Sequence, residues 1–176
     1  MNHADHVRLI EGGTSGGTVW ADLGSGRGAF TLALADLLGA TGEIYTVDRD
    51  QGALREQQRA IRARFPEVRV HYRPADFTRP LELPPLDGIV MANALHFVDT
   101  KHKDTVIQLI KGYLRPGGRL VLVEYNVDQG NTWVPYPFSY PTWETMARRS
   151  GFSSTRLLAT IPTRFLNEMY SAISFN

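Results

Sequence analysis

Short runs of Val, Ile and Leu alternate along the chain with longer stretches in which apolar residues recur every three or four positions. Such alternation marks βαβ units on a mostly parallel sheet whose strands are buried on both faces. It predicts strands at Thr18–Leu23, Glu43–Asp48, Val68–Arg73, Leu86–Ala92 and Arg119–Tyr125. Helices are expected between them at Ala29–Leu38, Gln51–Phe65 and His102–Leu114. Gly39 follows the first helix, Pro66 the second, and Pro116-Gly117-Gly118 stops the third.

Beyond Tyr125 the pattern changes. Gln129–Tyr140 holds too many prolines and rings for a regular element and reads as a loop. A short helix over Thr142–Ser150 ends at Gly151. Thr155–Ile161 and Asn167–Phe175 are β-rich, and only Pro162–Leu166 separate them, so they should pair as an antiparallel hairpin. The expected fold class is α/β, doubly wound, in one domain over 1–176. It divides into an N-terminal cap segment (1–17), a core (18–125) and a loop, helix and hairpin (126–176).

Composition narrows the choice of partners. The formal charge of +1 supplies no field to draw in nucleic acid or a membrane surface. The absence of cysteine excludes disulfides, thiolate metal sites and cysteine nucleophiles, and no metal is expected. The first seventeen residues lack the apolar stretch of a signal peptide, and no run reaches the ~18–20 apolar residues of a membrane span. A cytoplasmic protein is expected.

The chemistry concentrates where the first strand turns into the first helix, at Asp22-Leu23-Gly24-Ser25-Gly26-Arg27-Gly28. Three glycines in five positions let the backbone turn sharply and let a ligand approach more closely than a Cβ permits. In an open α/β sheet this turn lies at the carboxyl edge, where ligands bind. Gly24, Gly26 and Ala29 also satisfy the dinucleotide fingerprint G-x-G-x-x-G/A, and a turn made only for packing would use the same glycines.

Asp48 ends the second strand twenty positions after Gly28, where a carboxylate can accept hydrogen bonds from both hydroxyls of a ribose. It could instead cap the next helix, a task equally open to Asp50. Asp22 argues against a dinucleotide, because an acid before the first glycine would repel pyrophosphate, whereas an ammonium and a sulfonium would welcome it. Asp76, in Pro74-Ala75-Asp76-Phe77, is placed to accept the exocyclic amine of an adenine, with Phe77 beside the ring; as a bland alternative it is a solvated loop acid.

With these residues in view, the chain resembles the class I S-adenosylmethionine-dependent methyltransferases of the seven-stranded Rossmann-like type, in particular those acting on small molecules. The likeness is carried by DLGSGRG at Asp22–Gly28, YTVD at Tyr45–Asp48, ADF at Ala75–Phe77, LDGIVMANALHFV at Leu86–Val98 and LRPGGRLVLVEY at Leu114–Tyr125. The resemblance implies strand order 3-2-1-4-5-7-6 with the seventh strand antiparallel, and S-adenosylmethionine as cofactor. It implies that Asp22, Gly24 and Gly26 line the methionine part, with Ser25 and Gly28 completing the turn. Asp48 would hold the ribose, Arg49 would flank the adenine, Asp76 and Phe77 would bind it, and Asn93 would close over the amino-acid or methyl-bearing end. Only about eighteen residues precede the first strand and no insertion interrupts the core, unlike many members, which speaks against a large, enclosed substrate.

The methyl of a sulfonium is already activated, so aligning the reactants is the main task, and it can supply roughly 7–11 kcal/mol. If the small-molecule acceptor must lose a proton, His96 is the leading candidate base, with Glu124 and Tyr125 as others. A packing role for His96 is the alternative. Trp133, Tyr136 and Phe138, on the proline-rich loop, are expected to wall the acceptor pocket together with His96. The same rings could serve the core or a homodimer contact. His3 and His6 could belong to a lid, or simply lie on the surface. Three rivals stand beside this reading: an NAD-dependent oxidoreductase, which lacks a Tyr-x-x-x-Lys pair here; a cofactor-binding protein without catalysis; and a methylase of RNA or protein, for which no basic stripe is evident.

Overall fold

A computed structural model describes all 176 residues. Seven strands form one sheet: β1 (Val19–Leu23), β2 (Glu43–Asp48), β3 (Arg69–Pro74), β4 (Leu86–Ala92), β5 (Leu114–Tyr125), β6 (Ser154–Pro162) and β7 (Glu168–Phe175). Their order is β3-β2-β1-β4-β5-β7-β6. The first five run parallel, while β7 lies antiparallel to both β5 and β6. The expected order and the inverted strand are both observed.

Alternation along each strand sends side chains to two apolar layers. Trp20, Val90, Val121 and Val123 pack with helices α1 (His3–Ile10), α2 (Ala29–Leu38) and α3 (Gln51–Arg64) on one face. Ala21, Leu23, Ile89 and Leu122 pack with α4 (Thr100–Lys111) and α5 (Tyr140–Arg149) on the other. Asp50 caps α3, its side chain accepting from the amides of Gly52 and Ala53, which leaves Asp48 free of that task.

The structure corrects several local expectations. The N-terminal segment is a helix, α1, closed by a capping box between Asn2 and Asp5. Its Leu9 and Ile10 are buried, His3 meets Asp36 of α2 at 2.9 Å, and His6 sits 4.9 Å from the Phe30 ring. These two histidines hold α1 on α2 and form no lid over the carboxyl edge. Helix α4 stops at Gly112, and Pro116-Gly117-Gly118 is absorbed into β5 as an irregularity between the pairs Leu86↔Leu114 and Gly88↔Arg119. Pro141 opens α5, so that helix begins at Tyr140, two residues earlier than expected. No helix is long and apolar enough to cross a membrane.

Candidate active site

The carboxyl ends of β1, β2, β3 and β4 surround a cleft of about 730 Å³. That is within the ~300–1,000 Å³ common for small-ligand sites. Gly24, Gly26, Asp48, Arg49, Asp76, Phe77 and Asn93 all line it. Seven of the ten residues expected around a cofactor are thus brought together from four separate segments.

Each is positioned by its neighbours. The amide of Gly26 donates to Asp48 Oδ2 at 2.7 Å, and that of Asp50 to Oδ1 at 2.9 Å, so both carboxylate oxygens are aimed by main chain. Gly26 has φ +53°, and a Cβ built on it would meet nothing within 4 Å. Bare backbone therefore faces open space in the cleft. At Gly24, φ +77°, a Cβ would come within 2.5 Å of the Ala94 Cβ, so glycine there is imposed by the β4 turn.

Asp76 Oδ1 accepts from the amide and hydroxyl of Thr78 at 2.9 and 2.7 Å, and Oδ2 lies 4.0 Å from Arg49 Nη1. Burial pushes the Asp76 carboxyl up, but the Thr78 hydrogen bonds and the cations Arg49 and Arg79 outweigh it and hold it below the ordinary range. It is an anionic acceptor. Asn93 adopts φ +51°, a left-handed conformation in which its amide still reaches Val123 O at 2.9 Å. Its side-chain oxygen is buried without a partner. An orphaned acceptor in the cleft wall is a place for a ligand donor.

Three residues expected at the cofactor do not line the cleft. Ser25 turns its hydroxyl inward to Thr46, 2.6 Å away, because Thr46 belongs to a buried polar chain behind the turn. Gly28 lies against Gln57, whose amide nitrogen donates to Thr31, and Thr31 in turn donates to Asp22 Oδ2 at 2.5 Å. Asp22 is only 1% exposed. Burial pushes its carboxyl up to about 7, the Thr31 hydrogen bond opposes the rise, and the Asp48 carboxylate adds to it. These three support the turn from beneath.

The acceptor residues are corrected more extensively. Phe138 is buried in the core, its ring 6.0 Å from that of Trp143. Trp133 is 75% exposed and points away, because Asn131 accepts from the amides of Trp133 and Val134 and so turns Val134 inward in its place. Tyr136 is exposed at the surface outside the cleft. His96, 2% exposed, lies in a short 3-10 turn after β4 and likewise does not line the cleft. Its Nδ1 is 2.7 Å from Glu124 Oε2, while its backbone N–H donates to Oε1 at 3.2 Å. The exposed ring of Phe97 stands 4.3 Å from the imidazole.

Sequence reasoning missed the wall contributed by α4. His102, Thr105 and Val106 line the cleft at helical spacing, and Asp99, which caps α4, joins them. The spacing i, i+3, i+4 after an Asp cap was the available signal. The cleft's acceptors, its bare glycine and its orphaned Asn93 oxygen fit a cationic nucleoside with an amino-acid tail.

Comparison with known proteins gives the family and the fold. The family described as "Methyltransferase domain" matches residues 21–118, more than half of the chain. The carboxy-S-adenosyl-L-methionine synthase of Shewanella frigidimarina is 30% identical over 104 residues, 58% of this chain and 42% of that protein. The hybrid PKS-NRPS synthetase LUC5 of a Fusarium species is 28% identical over 158 residues, 75% of this chain but 4% of that protein. The chain thus spans less than half the length of either relative. Among solved structures, the Burkholderia thailandensis 1,6-didemethyltoxoflavin-N1-methyltransferase with bound S-adenosylhomocysteine superposes with a TM-score of 0.78 at 17% identity, covering 99% of this chain and 77% of that one. The strand order and the cleft at the carboxyl edge define an α/β protein of the Rossmann-like class. Within that class, the chain belongs to the methyltransferase-domain family, of the class I, S-adenosylmethionine-dependent type.

Proposed function

We propose that the protein transfers the methyl group of S-adenosylmethionine to a small molecule that gives up a proton in the reaction. The observation that carries this reading is the single cleft holding Asp48, Asp76 and the unpartnered Asn93 oxygen around the bare Gly26. When bound, S-adenosylmethionine supplies a methyl group already activated on a sulfonium. Asp48 accepts from the ribose hydroxyls, Asp76 and Phe77 receive the adenine, and Asn93 accepts from the amino-acid end. Arg49 flanks the base.

His96 is the proposed general base. A carboxylate can only accept, so Glu124 fixes the imidazole with its proton on Nδ1 and leaves Nε2 to take one from the acceptor. The imidazole is buried and outside the cleft, so Phe97, which lines the cleft 4.3 Å from it, must move aside before an acceptor reaches Nε2. The formal charge of +1 favours a small acceptor over nucleic acid. Cytoplasmic placement belongs to this reading, and cell fractionation tests it.

Calorimetry with S-adenosylmethionine and S-adenosylhomocysteine is the primary test, expected to give saturable binding of both. A folded protein that ignores both ligands refutes the proposal. Binding without turnover over a broad panel of phenols, enols and carbon acids would instead assign a non-catalytic binder.

A further inference from the structure

Lys103, on the first turn of α4, is 2% exposed and has no carboxylate within ion-pair distance. Its Nζ donates to Val98 O at 2.7 Å and to Tyr136 O at 2.7 Å. The same ammonium stands 5.3 Å from the centroid of Tyr136 and 5.4 Å from that of Phe138. A buried ammonium is costly, and a methionine would fill the volume without that cost. The lysine is therefore doing something that volume alone does not explain.

Its three partner residues belong to two segments. Val98 closes the short turn Leu95–Phe97 that carries His96. Tyr136 and Phe138 belong to the irregular stretch between β5 and α5. The peptide groups flanking Tyr136 are held on both sides, since its amide donates to His96 O at 3.0 Å while its carbonyl accepts from Lys103. We propose that Lys103 is a positioning residue that clasps the 126–139 segment to the histidine-bearing turn, so that its protonated form holds the two segments together and its neutral form releases them.

This inference rests on the reading of His96 as the base. The groups that face the ammonium are Glu124 from β5, paired with His96, Asp99 at the cap of α4, and the rings of Tyr136 and Phe138. Burial pushes the Lys103 ammonium down to about 8, and Glu124 and Asp99 resist that fall. The clasp thus lets go slightly above neutral pH, far below where an exposed lysine loses its charge.

Hydrogen exchange read by mass spectrometry on the peptide spanning 127–138 tests the clasp. Protection factors, corrected for intrinsic exchange and referred to α2 peptides of the same sample, should fall by at least about tenfold between pH 6.5 and 9.5, the equivalent of losing one charge-assisted hydrogen bond. Lys103→Met should show the low value at every pH and no transition. A flat wild-type profile overturns the inference, as does a Met variant with wild-type protection. Should that variant fail to fold, the wild-type titration decides alone. Calorimetry of the wild-type protein with S-adenosylhomocysteine is read separately: absence of binding would remove the proposed function while leaving the clasp as measured.

Discussion

The amide of Gly26 donates to Oδ2 of Asp48 at 2.7 Å, so the carboxylate proposed to hold a ribose also props the glycine turn at the edge of the same cleft. Asp48→Ala should weaken S-adenosylhomocysteine binding by at least about tenfold, or 1.4 kcal/mol, in a folded protein. Asp48→Asn keeps an acceptor for Gly26 and should fall between the two. Titration calorimetry at constant pH measures both, and equal affinity for all three proteins would remove Asp48 from the site.

Gly26 and Gly28 should separate ligand binding from folding. A Cβ at Gly26 meets open space, so Gly26→Ala should cost only the left-handed backbone penalty of about 1–2 kcal/mol yet obstruct the cofactor. A Cβ at Gly28 would lie 2.3 Å from Gln57 Cγ. Gly28→Ala should therefore destabilise by about 3 kcal/mol or more through strain and overpacking. Urea denaturation alongside calorimetry distinguishes the two, and a Gly26→Ala protein with full affinity would show that the ligand does not approach there.

Asp22 should write a signature on stability against pH. Its folded carboxyl titrates at about 7, above the 3.8 of the free group, so between those values the unfolded chain is ionised while the folded one keeps its proton. Stability then falls as pH rises from about 4 to 7 and is level beyond, because the unfolded state binds fewer protons throughout that window. Asp22→Asn should flatten this slope. Denaturation midpoints at pH 5 and pH 8 give the comparison, and an unchanged slope would place the titration elsewhere.

If His96 is the base, His96→Ala should lower turnover by about 10²–10⁴ while leaving S-adenosylhomocysteine affinity within a few-fold. Glu124→Gln should reduce turnover as well, since an amide need not select the same imidazole tautomer. Single-turnover assays with a proton-bearing acceptor measure the step. Full activity of His96→Ala would leave the histidine as a structural tie between β4 and β5.

The strand positions, the terminal hairpin and most of the cleft were legible because they follow from local signals, whereas the strand order and the inverted seventh strand were implied only by the family resemblance. Buried runs, a glycine turn and acids at strand ends need no knowledge of distant packing. The acceptor residues failed for the opposite reason. Phe138 is packed inward by Trp143 arriving from α5, and Trp133 is turned outward by Asn131 bonding two amides, a local cap that the ring-rich composition of the loop does not reveal. The same holds for Ser25 and Gly28, whose neighbours Thr46 and Gln57 come from other segments. Helix α1 was legible in principle through Asn2 and Asp5, but an amphipathic stretch of only eight residues did not stand out.

The placement of β7 sets a condition on how the molecule is made. The strand that follows all the others of the sheet along the chain lies inside it, hydrogen-bonded to β5 on one side and β6 on the other. During translation β5 must wait with an open edge, and β6 has no partner at all, until residues up to Phe175 have cleared the ribosome. A nascent chain that had not yet released β7 would carry a finished cleft on an unfinished sheet, prone to pairing with another copy of itself.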